Sequence, residues 1–280
     1  MADLLRPAFA ETSAASHSCA KPAVLEVDEP PTHIFLLVGQ SNMAGRGNLP
    51  AGQRWTDPRV KVWRHGWELA QDPLHRDKAT AAVGPAMAFA RSILDFLPQG
   101  TVGFVPCAVG GTALERWDVA GQGDLFHTAV SETKAALESS PESKLAGILW
   151  HQGESDASNA SNYAARLERV VSAFRLALSP PLFILGEVGH FLDAGDARFP
   201  DFEKINAAMA RIANGDDRAA LVSARGLRHK GDRLHFDAAS ADALGRRYAL
   251  EFLGLSGFGH DSLRYLVDGD GSDAAPRPAD

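Results

Sequence analysis

The sequence predicts a doubly wound α/β domain with three layers, in which a central parallel sheet lies between two layers of helices. Continuous apolar runs of strand length alternate along the chain with amphipathic segments of helical length, an order typical of βαβ units. Several of the apolar runs end in polar or glycine-rich clusters, as expected where parallel strands end at one edge of a sheet. At 280 residues with 45% hydrophobic residues, the chain can form one such domain with a sizeable core.

Six apolar runs are predicted to be strands, and they cover residues 34–38, 60–63, 102–106, 145–151, 182–188 and 220–223. Five segments are predicted to be helices, and they cover residues 85–97, 126–137, 161–178, 202–213 and 238–253. In the third of these, Tyr163, Leu167, Val170 and Phe174 recur at spacings of three and four residues. That helix is expected to cover the sheet.

We expect a disordered leader over residues 1–31, one domain over residues 32–255 and a largely disordered C-terminal extension over residues 256–280. The leader is rich in Ala, Ser and Thr and has no continuous apolar region of the kind found in secretory signals, which favours a cytoplasmic location. No apolar stretch approaches the ~20 residues needed to span a bilayer, so no membrane partner is expected.

The charge and the cysteines exclude further classes. A formal net charge of -7 and the lack of a Lys/Arg-rich run argue against a nucleic-acid partner, which would require a basic face. Two cysteines, Cys19 and Cys107, are too few for a disulfide framework and are predicted to be free thiols.

Polar clusters at four predicted strand or loop ends are the main functional signal. They are Gly39-Gln40-Ser41-Asn42, Cys107 to Thr112 with Gly110-Gly111, His151-Gln152-Gly153-Glu154, and Asp232-Arg233-Leu234-His235. The joint occurrence of these clusters at strand ends favours a shared site over four unrelated turns.

These clusters supply the parts of an acyl-transfer site, namely a nucleophile, a base, a group that orients the base, and donors for an oxyanion. Ser41 is the predicted nucleophile and His235 the base. Asp232, three residues earlier, would hold the other imidazole nitrogen. The predicted oxyanion donors are the backbone N–H groups of Ser41 and Gly111 and the side-chain amide of Gln152.

Other motif interpretations are less favoured. A phosphate-binding loop is excluded because Gly39 and Gly45 are six residues apart and no Lys-Ser/Thr follows. The G-x-S-x-G pattern is only half met, because Met43 stands where the second glycine belongs. A metal site is conceivable but lacks a paired-His helix motif, and its candidate ligands are His229, Asp232, His235 and Asp237.

With these motifs, residues 33–253 resemble the SGNH/GDSL hydrolase superfamily, and specifically the branch that contains the sialate O-acetylesterase domain and the acetylesterases of carbohydrate esterase family six. The motifs are Gly39-Gln40-Ser41-Asn42-Met43-Ala44-Gly45, Gly110-Gly111-Thr112, His151-Gln152-Gly153-Glu154 and Asp232-Arg233-Leu234-His235. The resemblance implies a flavodoxin-like sheet and hydrolysis through an acyl-serine without metal or cofactor. It implies O-acetylated saccharides, such as acetylated xylan or sialic acid, as substrates, and it supports the triad and the oxyanion donors assigned above.

One departure from the wider superfamily concerns its third motif, which usually reads Gly-x-Asn. Here Gln152 precedes Gly153, so the longer amide is expected to replace the asparagine. Glu154 is a rival to Asp232 as partner of His235, and the sequence does not rank the two. Gly110 and Asn42 are further candidates for auxiliary roles.

The segment of residues 46–84 contains three of the five tryptophans, Trp55, Trp63 and Trp67. Their rings are expected either to line a carbohydrate groove or to pack a cap over the core. Two alternative functions stay open, a lipid or thioester hydrolase with the same triad and a catalytically silent carbohydrate-binding protein. The sequence does not predict an oligomeric state.

Overall fold

The structure is a computed structural model that describes residues 29–97, 99–179, 181–192, 195–259, 263 and 265–268. Seven strands form one sheet in the order β3-β2-β4-β1-β5-β6-β7, and all neighbours are parallel except β2 and β3. The strands are β1 (His33–Gly39), β2 (Val60–Trp63), β3 (Trp67–Leu69), β4 (Val102–Pro106), β5 (Lys144–His151), β6 (Leu182–Gly186) and β7 (Ala219–Val222).

The helices lie on both faces of this sheet. They are α1 (Ser41–Ala44), α2 (Ala86–Ile93), α3 (Asp124–Glu138), α4 (Tyr163–Leu178), α5 (Phe202–Asn214), α6 (Ala238–Leu255) and α7 (Tyr265–Asp268), with short 3₁₀ turns at Leu94–Phe96, Leu114–Arg116 and Glu154–Asp156. Helices α3, α4 and α5 contribute to one apolar cluster, and α2 and α6 to the other. This is the predicted three-layer α/β/α architecture, which is confirmed.

Strand β1 shows why the chain needs both layers. Ile34, Leu36 and Val38 belong to one core cluster, whereas Phe35 and Leu37 belong to the other, and all five are fully buried. Successive side chains of a strand point to opposite faces, so an uninterrupted apolar run requires helices on both sides.

The strand order also fixes where a ligand can bind. Strands β4-β1-β5-β6-β7 follow the flavodoxin-like order, and β2 and β3 extend the sheet beyond β4. The chain leaves β1 toward β4 and later continues on the other side of β1 with β5. The order of the strands therefore reverses at β1, and the crevice at the carboxyl end of this strand is the expected ligand site.

The predicted elements agree with the structure to within a few residues, apart from the following local differences. The predicted helix over residues 85–97 is an α-helix only to Ile93 and continues as a 3₁₀ turn. The sequence did not predict α1 or α7, which have four residues each, or β3, which is a three-residue antiparallel edge strand.

The ends of the chain are only partly described. Residues 1–28, which contain most of the predicted leader and Cys19, lie outside the described residues, as do residues 269–280. Within the predicted C-terminal extension, Leu263 and Leu266 are buried in the cluster formed with α2 and α6. Cys107 is a free thiol, as expected, and its burial raises the pKa of that thiol. None of the described helices is long and apolar enough to cross a membrane.

Candidate active site

A cleft of about 530 Å³ opens at the carboxyl ends of the central strands. Its walls combine the four polar clusters with basic residues from neighbouring loops. Among the lining residues are Gln40, Ser41, Arg46, Lys78, Gly110, Gly111, Glu154, Arg198, Phe199, Lys230, Asp232, Leu234 and His235. The cleft therefore lies where the reversal of strand order predicts a ligand site.

Ser41 reaches this cleft because β1 stops abruptly at Gly39. Gly39 has a φ of 129°, and a Cβ at this position would lie 2.0 Å from the carbonyl oxygen of His151 on the neighbouring strand. Only glycine fits such a close approach. The chain then turns into α1, whose first residue is Ser41, and the side chain of Ser41 lines the cleft.

His235 and Asp232 lie opposite Ser41 on one short loop. His235 Nε2 is 2.9 Å from Ser41 Oγ, and His235 Nδ1 is 2.7 Å from Asp232 Oδ2. Asp232 Oδ1 accepts hydrogen bonds from the backbone N–H groups of Leu234 (3.0 Å) and His235 (2.8 Å). The loop turns at Arg233, which has a φ of 56°. The structure thus brings the three predicted triad residues together in hydrogen-bonding geometry.

The electrostatics of Asp232 suit a partner for an imidazolium. Partial burial alone would raise the pKa of its carboxyl group, but the hydrogen bonds from the backbone and ring of His235 and from Leu234 hold that pKa below its usual value. Asp232 is therefore a carboxylate at neutral pH.

The backbone oxyanion donors assigned from the sequence, those of Ser41 and Gly111, have no protein acceptor within the described chain, whereas the side-chain donor Gln152 is engaged elsewhere. Gly111, at a φ of 78°, lines the cleft beside Ser41, and among the described residues neither of their backbone N–H groups donates to a protein acceptor. The N–H of Gly110 is already used, because it donates to Asp77 Oδ2 at 2.8 Å. Of the assigned backbone donors, those of Ser41 and Gly111 thus have no acceptor in the part of the chain that the structure describes.

Gln152 does not reach the cleft. Its side chain is fully buried, and its Nε2 donates to Asp156 Oδ2 (2.6 Å) and to the carbonyl of Thr112 (3.1 Å). Its Oε1 accepts from the hydroxyl of Tyr163 at 3.1 Å. With these bonds, the amide of Gln152 joins neighbouring loops and has no donor left for a substrate.

Gln40 is a further candidate donor, and its role was not evident from the sequence motif. Its side chain lines the cleft, and its Oε1 accepts from the backbone N–H of Ser155 (3.2 Å) and from Gln152 Nε2 (3.3 Å). Within the described part of the chain, its Nε2 has no acceptor. Gln40 immediately precedes Ser41, so this amide nitrogen is the side-chain donor next to the nucleophile.

Glu154 has partners other than His235. It accepts a hydrogen bond from Asn42 Nδ2 (2.5 Å), and it lies 3.6 Å from His151 Nε2. Of the two carboxylates that the sequence did not rank, Asp232 is the one in contact with His235. Asn42 in turn contacts the loop that carries His235 through the backbone of Leu234 and Phe236.

The basic residues of the cleft differ in how they are compensated. Arg46 forms a buried ion pair with Asp77 at 2.6 Å, and Lys230 Nζ donates to the carbonyl of Arg46 at 3.0 Å and lies 4.0 Å from Asp232. The side chain of Lys78 has no hydrogen bond or ion pair among the described residues, and its Nζ lies 3.6 Å from where a Cβ of Gly111 would be. The cleft therefore presents positive charge on a chain that is acidic overall.

The tryptophans of residues 46–84 do not line this cleft, contrary to the groove hypothesis. Trp63 is buried in the core and packs edge-to-face on Trp67, whose Nε1 donates to Ser140 Oγ at 2.8 Å. Trp55 lines a separate cavity of about 200 Å³. Trp63 lies on β2 and Trp67 on the edge strand β3, and these two rings pack against each other instead of lining the cleft.

The alternative metal ligands are not gathered at one point. Asp237 caps α6 by accepting from the N–H of Ser240, and His229 Nδ1 accepts from the N–H of Gly231. Across the described residues, no group of three or more His, Cys, Asp or Glu side chains is arranged to hold a metal ion. Asp232 and His235 are instead paired with each other.

The chain is similar in sequence and in fold to several known proteins. Over 248 residues the chain is 32% identical to a probable carbohydrate esterase of Arabidopsis thaliana, covering 80% of this chain and 91% of that protein. The solved structure of that protein has a TM-score of 0.69 at 29% identity and covers 82% of this chain and all of its own. The structure of NanS has a TM-score of 0.65 at 22% identity, covering 81% of this chain and 98% of that one, and shows the same fold.

A shorter similarity, 32% identity over 114 residues, links 33% of this chain to 34% of a probable 9-O-acetyl-N-acetylneuraminic acid deacetylase of Escherichia coli (strain K12). The family described as carbohydrate esterase, sialic acid-specific acetylesterase, matches residues 31–254, which include every strand of the sheet and the whole cleft. The chain is therefore a hydrolase of carboxylic esters and belongs to this carbohydrate esterase family.

Proposed function

We propose that the protein removes O-acetyl groups from saccharides by nucleophilic attack of Ser41 on the acetyl carbonyl carbon. The observation that carries this proposal is the chain of contacts from Ser41 Oγ through His235 to Asp232, with distances of 2.9 and 2.7 Å. A hydroxyl in contact with an imidazole whose other nitrogen is held by a carboxylate is an activated nucleophile.

The proposed reaction has two halves. In the first, the Ser41 Oγ–H proton passes to His235 Nε2 as Oγ bonds to the carbonyl carbon, and the resulting imidazolium returns the proton to the sugar oxygen as the C–O bond breaks. In the second, His235 takes a proton from a water that attacks the acetyl-serine, and Ser41 regains its proton as acetate leaves. Asp232 stabilises the imidazolium in both halves.

The tetrahedral intermediate of each half carries a negative oxygen, which we assign to the backbone N–H groups of Ser41 and Gly111. Both residues line the cleft, and neither N–H group has a protein acceptor among the described residues. We propose the Gln40 amide as the third donor, in place of Gln152, because the Nε2 of Gln40 has no acceptor in the described part of the chain, whereas that of Gln152 donates to Asp156. Donors fixed before reaction act most strongly when water is excluded.

The cleft favours a polar alcohol over a lipid. Among the lining residues of the described chain, the large apolar side chains are Phe199 and Leu234, and most of the other lining residues are of polar or charged types. Long acyl chains require extended apolar contact, which this surface does not offer. This disfavours the alternative of a lipid hydrolase, and the intact contacts of Ser41 disfavour a silent binding protein.

For the saccharide itself, we propose a preference for acidic sugars over neutral xylan. The ammonium group of Lys78, which has no partner among the described residues, lies beside Gly111, and Lys230 lines the same cleft. Positive charge lining a cleft raises the local concentration of an anionic substrate and is screened by salt. A relative of this chain bears the name of a deacetylase of a sialic acid, a sugar that carries a carboxylate.

One experiment tests both levels of the proposal. The ratio kcat/KM is measured for an aryl acetate, an aryl ester of a long fatty acid, a 9-O-acetyl sialic acid and an acetylated xylooligosaccharide, at low and high salt. We expect kcat/KM to be higher for the aryl acetate than for the long-chain ester. We also expect it to be higher for the sialic acid than for the xylooligosaccharide, by a ratio that decreases at high salt. Faster turnover of the long-chain ester would contradict deacetylation, and equal, salt-independent rates on both sugars would contradict only the acidic preference.

A further inference from the structure

A single side chain, that of Asn42, holds the backbone on both sides of His235. Asn42 Oδ1 accepts from the N–H of Phe236 at 3.1 Å, and Asn42 Nδ2 donates to the carbonyl of Leu234 at 3.1 Å. His235 lies between these two residues in the chain. Since Asn42 directly follows Ser41, the nucleophile and the base are joined by one amide as well as by their own contact.

Glu154 adds a third contact that favours the same orientation of this amide as the contacts to Leu234 and Phe236. Its Oε1 accepts from Asn42 Nδ2 at 2.5 Å, so that nitrogen faces two acceptors, a carboxylate and the carbonyl of Leu234. In the flipped orientation, the amide oxygen would face both acceptors and the NH₂ group would face the N–H of Phe236. All three contacts would then be repulsive, so only one orientation satisfies the network.

Glu154 is an unusual residue to find at this position, because it is 3% exposed. Burial alone would raise the pKa of its carboxyl group, but His151 and the hydrogen bond from Asn42 keep that pKa below its usual value. His151 is itself buried and is held from the other side by the hydroxyl of Tyr248, 3.3 Å from Nδ1. Burying a carboxylate costs free energy unless the carboxylate is paired, and the nearest partners of Glu154 are Asn42 and His151.

We propose that Asn42 and Glu154 are positioning residues, in which Glu154 fixes the Asn42 amide and Asn42 fixes the loop that holds His235 Nε2 against Ser41 Oγ. The proposal rests on the proposed function, because it takes His235 as the base. It assigns Glu154 a role different from that of a second carboxylate partner for His235. A displacement of about 1 Å in a reacting group can lower the rate about 100-fold, so a clamp of this kind affects turnover strongly.

The test exchanges the amide of Asn42 and the carboxylate of Glu154 and measures kcat and KM with an aryl acetate. In Asn42→Asp, a carboxylate would face Glu154 and the carbonyl of Leu234, and we expect kcat to fall about 100-fold with KM little changed. Adding Glu154→Gln supplies an amide donor to the new carboxylate and restores one bond of the network. We expect this second change to raise kcat about 10-fold above that of Asn42→Asp alone.

The variant Glu154→Gln by itself separates positioning from charge. A glutamine oxygen still accepts from Asn42 Nδ2, so we expect kcat within about fivefold of the wild type, whereas Glu154→Ala removes the acceptor and lowers kcat at least about 10-fold. If Glu154→Gln is as slow as Glu154→Ala, the carboxylate charge is what matters and the clamp is rejected. If kcat of the double variant Asn42→Asp, Glu154→Gln falls by the product of the two single decreases, the two residues are not coupled and the clamp is also rejected.

Two controls keep the outcomes distinct. Urea unfolding of each variant measures the fraction of folded protein, so kcat is expressed per folded site and a loss of folded protein does not imitate a loss of positioning. Ser41→Ala is measured in parallel. Undiminished turnover of Ser41→Ala rejects the proposed function itself, whereas an inactive Ser41→Ala with unaltered Asn42→Asp rejects only the clamp.

Discussion

The substitution Asp232→Asn should damage turnover more than the loss of a single charge implies. Asp232 Oδ1 accepts from two backbone N–H groups, those of Leu234 and His235, at 3.0 and 2.8 Å. In the variant, the amide oxygen must stay at that position, because an NH₂ group there would face two donors. The NH₂ group is then directed at His235 Nδ1, which lies 2.7 Å from the present Oδ2.

An amide donor at Nδ1 forces this nitrogen to act as an acceptor and leaves the proton of the neutral imidazole on Nε2. Because Nε2 lies 2.9 Å from Ser41 Oγ, the ring would donate to the hydroxyl and could not take its proton. For such a tautomer change we expect kcat to fall about 10³- to 10⁴-fold, which corresponds to about 4 to 5.5 kcal/mol of transition-state stabilisation.

The assay is steady-state hydrolysis of an aryl acetate by wild type, Asp232→Asn, Asp232→Ala and Glu154→Ala. Asp237→Asn is the matched control, because Asp237 caps α6 on the same segment and an asparagine caps a helix equally well. We expect Asp237→Asn to match the wild type and Asp232→Ala to lose more turnover than Glu154→Ala. Near wild-type turnover of Asp232→Asn, or a greater loss in Glu154→Ala than in Asp232→Ala, would refute the assignment of Asp232.

Three further predictions concern the donors, the ion pair beneath the cleft and metals. Gln40→Ala should lower kcat about 100-fold in steady-state kinetics, whereas Gln152→Ala, which leaves buried partners unsatisfied, should lower the free energy of unfolding in urea by about 1–3 kcal/mol; the reverse pattern would restore Gln152 as the donor. Burial raises the pKa of the Asp77 carboxyl group, but hydrogen bonds from Arg46 and Gly110 bring that pKa below its usual value. The ion pair therefore stabilises the fold fully above the usual pKa of an aspartate, and this stabilisation is lost as the pH falls through the lowered pKa. Asp77→Asn should therefore destabilise the protein at neutral pH more than in acid, and an equal loss in urea titrations at both would contradict this. Dialysis against a chelator should leave aryl acetate turnover unchanged, and inhibition reversed by added metal would contradict a metal-free acyl-serine route.

The parts of the fold that local patterns determine were predictable. The apolar run of β1 predicted a strand buried on both faces, and the spacing along α4 predicted its buried side, because each follows from a repeat within one segment. Strand β3 has only three residues and pairs at the sheet edge, which leaves too short a pattern to detect.

The site residues also differ in whether the local sequence or distant parts of the chain determine their surroundings. Ser41, and Asp232 with His235 three residues later, were predictable because strand ends and short loops place them. The engagement of Gln152 was not, since it depends on Tyr163 and on the carbonyl of Thr112, which come from other parts of the chain. The family pattern pointed to the amide of Gln152, and its surroundings decide whether that amide is free.

The most direct test of the account is to trap the covalent intermediate. The enzyme is mixed with an aryl acetate, quenched in acid within the first turnovers, digested and examined by mass spectrometry, with Ser41→Ala treated in parallel. We predict one acetyl group on the peptide that contains Ser41, a matching burst of aryl alcohol, and neither signal in Ser41→Ala. Full turnover by Ser41→Ala, or an acetyl group on another residue that forms and decays at the catalytic rate, would contradict the acyl-serine mechanism.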